Sequence, residues 1–302
     1  MGWKIILSIL FFLFVVASLV FYWLIPFRNL EFTSTNGNNN FSIGDSNNMQ
    51  FYQNMRFPES AISYRIEECP LNKKNDMEEA FDFLSKKTNL TFYPVTSDEK
   101  LYITCDSKIM MDEEGLFIAG EGGPVNITTT DLFNVIYHSK IMLVKESTCF
   151  YPNIAIHELL HSLGFDHSAN SVNIMYYLSN CDQVLGQDTI GVINNLYSIP
   201  SEPDLTFVNV SAKINGRYLD TDLTIKNNGL KMSQKAEIIL YSDNQIIKKI
   251  DVNPISVGSG VKMSLKNSWV STKQITELKF YLNTSFKEIN KNNNELTLKV
   301  SR

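Results

Sequence analysis

Histidine and cysteine are scarce in these 302 residues, with only four of each. No two cysteines stand at C-x-x-C spacing, so zinc ligation by thiolates is not expected. No strand–glycine–helix unit is followed by Lys-Ser or Lys-Thr, which excludes a phosphate cradle. Charge is sparse as well: 27 Lys and Arg stand against 32 Asp and Glu, giving a net charge of −5. The basic residues form no cluster, so nucleic acid is not the expected partner. There is no internal repeat, and only one run, Ile5 to Ile25, is both long and apolar.

The few histidines are concentrated. Three of the four fall within His157-Glu158-Leu159-Leu160-His161-Ser162-Leu163-Gly164-Phe165-Asp166-His167, and His138 stands apart, expected on a strand surface. Residues four apart share a helix face, so His157 and His161 can offer ring nitrogens to one metal ion, with Glu158 beside them. Gly164 falls where a helix would end, because glycine enters the left-handed region without steric cost. The chain can reverse there and return His167 as a third ligand. Three protein ligands leave a tetrahedral position open for water, as in a catalytic rather than a structural zinc site. Glu158 is then the candidate general base.

Met175 lies eight residues past His167, within Ser171-Val172-Asn173-Ile174-Met175-Tyr176-Tyr177. The long histidine motif followed by this methionine resembles the metzincins, whose Met-turn floors the metal. His167-Ser168, Ile174-Met175-Tyr176 and the stretch Leu185 to Tyr197 look like the matrixin branch, and the resemblance spans about residues 58 to 200. It implies a zinc endopeptidase of α+β class. Its mixed five-stranded sheet would have two long helices above and below it, with a third helix after the Met-turn. Strands are expected at Ala61–Glu67, Leu90–Val95, Lys100–Asp106 and Lys140–Lys145, and a helix capped by Asn75, with Met77, Ala80, Phe81 and Leu84 on its apolar face. Gly120–Pro124 with Val125–Thr130 would supply the edge strand that receives a peptide. Tyr176, Tyr177, Leu178 and Ser179 would border the pocket for a substrate side chain. Two departures matter. No propeptide cysteine precedes residue 58, so a cysteine switch is not expected, and His138 by itself cannot build the structural zinc site of secreted matrixins. One zinc ion per chain is expected; a structural calcium ion has no run of alternating acidic residues to support it.

Ile5 to Ile25 is long enough, at 1.5 Å per residue, to cross a hydrocarbon core of roughly 30 Å. Trp3, Tyr22 and Trp23 stand near its ends, and Lys4 favours a cytoplasmic start. An uncleaved single-pass anchor over residues 1–28 is expected rather than a cleaved signal peptide, since the run exceeds a usual signal core and no Ala-x-Ala-like site follows. The catalytic domain would lie outside the cytoplasm either way. Residues 29–57, rich in Asn, Ser and Gly, read as a disordered tether. The four cysteines suit an oxidising compartment. Of three connectivities, Cys69 with Cys105 and Cys149 with Cys181 are favoured, against free buried thiols. Asn89, Asn126, Asn209 and Asn283 begin glycosylation sequons.

After Tyr197, Ile199-Pro200-Ser201-Glu202-Pro203 reads as a hinge. From residue 204 to 302, apolar and polar residues alternate between turns such as Asn215-Gly216 and Ser242-Asp243-Asn244, which predicts about seven strands in an all-β sandwich. Its pattern resembles the cell-adhesion-related Ig-like domains of prokaryotic surface proteins. Such a domain could bind a surface partner or hold the catalytic domain (58–200) off the membrane. Three functions follow: a membrane-anchored zinc endopeptidase acting on protein or peptide, a non-proteolytic surface-binding protein, or a zinc exopeptidase or amidase. Intact Glu158 favours the first.

Overall fold

The computed structural model describes residues 2–24, 30–34, 49–107, 110–111, 117–270 and 275–300. In chain order the elements of the first two thirds are α1 (Gly2–Leu24), β1 (Leu30–Ser34), β2 (Met55–Arg56), β3 (Ala61–Ile66), α2 (Leu71–Lys87), β4 (Thr91–Pro94), β5 (Leu101–Cys105), β6 (Met110–Met111), β7 (Phe117–Ile118), β8 (Gly120–Thr129), β9 (Asn134–Leu143), α3 (Asn153–Ser162) and α4 (Gln187–Ser198). Seven strands follow: β10 (Leu205–Asn215), β11 (Tyr218–Asn227), β12 (Ala236–Ser242), β13 (Gln245–Val252), β14 (Gly260–Trp269), β15 (Glu277–Thr284) and β16 (Glu295–Val300). The chain is thus α+β, then all-β.

In the first domain β9, β5, β3 and β4 run parallel in that order, and β8 closes the sheet antiparallel to β9. The two-residue β2 adds a sixth strand on β9. Helices α2 and α3 pack against each other and share one core instead of lying above and below the sheet. Met77, Leu84, Ile156 and Leu160 in that core are wholly buried, each worth about 1.5–3 kcal/mol relative to exposure. Helix α2 begins at Leu71 after Pro70, a turn earlier than the expected Asn75 cap. The fixed φ of Pro70 suits a helix start. The Cys69–Cys105 disulfide anchors the same point to the end of β5, and the Lys73 ammonium is drawn inward onto the carbonyls of Asp106 and Val144 at 2.6 and 2.7 Å.

The expected tether over residues 29–57 is corrected at both ends. Strand β1 inserts between β10 and β16 of the second domain and buries Phe32 there. From Met49 onward the chain belongs to the first domain: Met55 and Phe57 are core, and the buried Arg56 guanidinium donates to the carbonyls of Phe57 (2.9 Å), Pro58 (2.9 Å), Ile199 (3.1 Å) and Leu196. Long-range partners drew in a segment whose composition alone suggested no core. The asparagines Asn36 and Asn38 to Asn40 lie outside the described residues.

The second domain is one hydrogen-bonded path of eight strands, β13-β12-β15-β16-β1-β10-β11-β14, folded over an apolar core that includes Leu219, Ile225, Ile238, Phe280 and Leu298. Gly216 and the Asp243-Asn244 pair adopt positive φ at two hairpins, as their turn chemistry predicts. The two domains are docked. The Thr130–Phe133 turn between β8 and β9 meets the Asn227–Leu230 turn, with Thr130 Oγ1 donating to the Asn228 carbonyl at 3.1 Å, Asn228 Nδ2 to Asp131 at 3.0 Å, and Lys226 pairing with Asp131 at 2.5 Å. Phe133, Val135, Leu230 and Val257 form a small core between them.

Asp204 is buried where the second domain begins, and it accepts from the Asn290 N–H at 3.3 Å and Asn293 Nδ2 at 3.1 Å. Burial, with Glu288 nearby, pushes its pKa up to about 6 from 3.8. The folded chain therefore holds this proton more tightly than the unfolded chain. Stability is fullest below about pH 4 for this group and falls as pH rises to about 6, by about 3 kcal/mol at most. Asp204→Asn should flatten that slope; equal pH dependence of urea midpoints in parent and variant between pH 4 and 7 would refute it.

Candidate functional site

Helix α3 places His157 and His161 one turn apart, both buried, with Glu158 buried between them in sequence. The helix stops at Leu163, and Gly164 takes φ +95°, where a Cβ would fall 2.7–2.9 Å from the Met55 side chain. Glycine is needed there for its backbone and for the close approach of Met55. Past this turn the exposed His167 comes back to the pair. The ring nitrogens of His157, His161 and His167 lie within 4.8 Å of one another.

The outer nitrogens fix which face of each ring system is free. His157 Nδ1 meets the Ile174 carbonyl and His161 Nδ1 the Phe165 carbonyl, each at 2.7 Å, so both Nδ1 atoms donate. A neutral imidazole has one N–H, which leaves each Nε2 with only a lone pair. The Nε2 atoms of His157 and His161 nonetheless stand 2.9 Å apart, with His167 Nε2 3.1 Å from that of His161. Facing lone pairs cannot bond each other, and a cation between them resolves the contact. Burial and the neighbouring imidazoles push the His161 pKa down to about 4, and burial lowers that of His157, so both are neutral, as metal ligation requires. The donor set fits zinc.

The turn carrying Met175 serves this arrangement through its backbone. Ile174 supplies the carbonyl that holds His157, and the Met175 carbonyl accepts from the Ser168 N–H at 2.8 Å, next to His167. Asn173 Oδ1 closes the turn by accepting from the Met175 N–H at 2.9 Å. The Cys149–Cys181 disulfide fastens the segment before α3 to the one after this turn, as does Asn153 Nδ2 donating to the Asn180 carbonyl at 2.7 Å.

Strand β8 lies directly on α3. A Cβ at Gly120 would meet the Glu158 side chain at 2.7–2.9 Å, and one at Gly122 would meet the Glu158 carbonyl oxygen at 2.4 Å. The glycines lie in the expected edge strand, and their lack of side chains is what allows that strand to reach the acid. Burial first, then the charge of Glu121, pushes the Glu158 pKa up to about 8. Between β8, α3 and the Met175 turn opens a cleft of about 730 Å³, lined by the three histidines, Glu158, Tyr177, Leu178 and Ser179. Tyr176 does not line it and packs against Tyr177 instead, with tilted rings whose centroids are 4.5 Å apart. His138 is on β9 with its Nδ1 at 3.1 Å from the Glu99 carbonyl, outside the histidine group.

Residues 49–55 also belong to the site, which the sequence reading missed. Met49 and Phe51 pair with the reversal after α3, through Asp166 N–H to Met49 O and Phe51 N–H to Gly164 O, both 3.0 Å. Gln50 closes the segment on itself by exchanging hydrogen bonds with the Met55 N–H and C=O. The Phe51 ring stacks on His161 at 5.7 Å and forms part of the cleft wall. The only available signal was the change from Asn, Ser and Gly to Met49-Gln50-Phe51-Tyr52.

Gly122→Ala should destabilise the fold by about 1–3 kcal/mol, because a new methyl must displace the α3 backbone. Gly123 has nothing within 4 Å of its would-be Cβ, so Gly123→Ala should stay within about 0.5 kcal/mol of the parent. Equal urea midpoints for the two variants would contradict the close approach.

Residues 56–198 match the Matrixin family model and residues 202–298 match the CARDB model. The zinc metalloproteinase nas-14 of Caenorhabditis elegans is 26% identical over 121 residues, which are 40% of this chain and span only 21% of that protein. Among solved structures, high choriolytic enzyme 1, a hatching-enzyme zinc-protease of Oryzias latipes, is 18% identical with TM-score 0.28, covering 47% of this chain and 90% of its own. The CARDB domain of the PF1109 protein of Pyrococcus furiosus is 15% identical with TM-score 0.28, covering 33% of this chain and 88% of its own. Residues 56–198 thus form a domain that matches the Matrixin family, as the sequence resemblance implies, and residues 202–298 a domain that matches CARDB.

Proposed function

We propose that this chain is a membrane-anchored zinc endopeptidase. The observation that carries the reading is the convergence of three Nε2 atoms beside Glu158, under a strand whose outer edge opens on the cleft. His157, His161 and His167 would hold the ion. When bound, zinc supplies Lewis acidity toward water and a peptide carbonyl. The chain's own groups do the rest. Strand β8 would receive the peptide by strand addition. Carbonyls of Ile174 and Phe165 keep two imidazoles turned inward. Glu158 takes a proton from water as general base and returns it to the leaving amine. Met175 is buried in the turn beneath.

Helix α1 contains an 18-residue window, Trp3–Val20, of mean hydropathy 2.5 and wholly outside the packed domains. As an anchor it would place the second domain near the bilayer, since the six Cα–Cα steps from Leu24 to Leu30 reach at most about 22 Å. The second domain would then stand between membrane and protease. Deleting residues 2–24 should move the chain from the membrane fraction to the soluble one; a deleted chain that stays with membranes would overturn the anchor.

Full-length protein in detergent should make internal cuts in a denatured generic protein, read by mass spectrometry. Glu158→Gln should retain about one zinc per chain and lose about 10²- to 10⁴-fold in kcat. His161→Ala should lose the metal itself, seen by elemental analysis. Full activity in Glu158→Gln, or no cuts by a zinc-loaded parent, would sink the assignment.

A further inference from the structure

Strand β8 is bonded to β9 on one side, and the described residues place no strand on the other. The N–H groups of Val144 and Lys145 both donate to the Ala119 carbonyl, at 3.0 and 2.8 Å. Backbone groups of successive strand residues point to alternate sides, so Ala119 and Glu121 face β9 while Gly120 and Gly122 turn their N–H and C=O groups to the free edge. These are the two glycines that rest on Glu158. A peptide bonded to them therefore lies beside the acid, with no β8 side chain interposed at either point.

Glu121, between them, has a different relation to such a peptide. Its side chain is exposed, stands on the face of β8 opposite the one that rests on α3, and borders the cleft. In an antiparallel peptide, the residue opposite Glu121 forms a non-hydrogen-bonded pair, the kind with Cα atoms only about 4.5 Å apart and side chains closest. The cleft wall there carries two carboxylates, Glu121 and Glu146, against the single ammonium of Lys145. Opposite charges at such a cross-strand position attract, and like charges repel.

We propose that Glu121 is a specificity-determining residue that selects lysine or arginine at the substrate position paired with it. The proposal rests on the endopeptidase reading above and adds a substrate class to it. Because Gly120 and Gly122 flank Glu158, the selected residue lies close to the bond that is cut.

The test uses full-length protein and a set of peptides in which Lys, Gln or Glu is walked through each position around one cut site. The parent should favour Lys over Gln by about two- to five-fold in kcat/KM at one position and disfavour Glu there. The preference should shrink in high salt. Glu121→Gln should flatten it and Glu121→Lys should invert it. Comparing peptides within one variant cancels any general effect on Glu158. Cleavage with no positional charge preference, or a preference for Lys that survives Glu121→Lys, overturns this inference alone. No cleavage of any peptide by the zinc-loaded parent overturns the endopeptidase reading and this inference with it.

Discussion

The centre of the first domain depends on two hydrogen bonds that face away from the metal position. The carbonyls of Ile174 and Phe165 take the Nδ1 protons of His157 and His161, which aims both Nε2 lone pairs at one point. Each carbonyl comes from a different part of the chain. Phe165 follows the glycine reversal at the end of α3, and Ile174 belongs to the Met175 turn. Much of the surrounding structure serves to hold those two carbonyls in place: the 49–51 segment pairs with the reversal, Met55 fills the space beneath Gly164, and Asn173 closes the turn.

The same economy of space governs the acid. Glu158 is covered by a strand that could not lie there with side chains at Gly120 and Gly122. Covering a carboxylate raises the cost of its charge and so strengthens its hold on a proton, as a general base working near neutral pH requires. Strand β8 therefore does two things: it sets the environment of the general-base candidate and it presents a free edge beside it. Its far end is not loose, because the Thr130–Phe133 turn is held by Asn228 and Lys226 of the second domain. The second domain is consequently more than a spacer strung on a hinge. It buttresses the hairpin that borders the cleft, and through β1 it incorporates chain that directly follows α1.

The histidine motif, the methionine turn and the β-hairpin turns were legible because their information is local. Four-residue spacing on a helix, glycine at a reversal, and Asn or Asp at positive φ all depend on neighbours in sequence. The cysteine pairs named from the sequence are the ones joined in the structure, Cys69–Cys105 and Cys149–Cys181. The start of α2 was misplaced because Asn75 offered a capping signal, whereas Pro70 and a disulfide at Cys69 set the boundary. Residues 29–57 were misjudged for a related reason. Phe32, Met55, Arg56 and Phe57 are few among polar residues, and their partners lie as far off as Leu196 and Val300.

The sequence by itself determined the grouping of three histidines with one glutamate and the division into an apolar helix, a mixed domain and an all-β domain. These follow from residue chemistry and short-range periodicity, which act before any distant contact forms. Only the tertiary structure decided that Phe51 walls the cleft, that glycines bring β8 onto Glu158, that Glu121 borders the free edge, and that β1 completes the second domain. Each of those is a contact between segments far apart in the chain, and no local pattern encodes which distant surface a strand will meet.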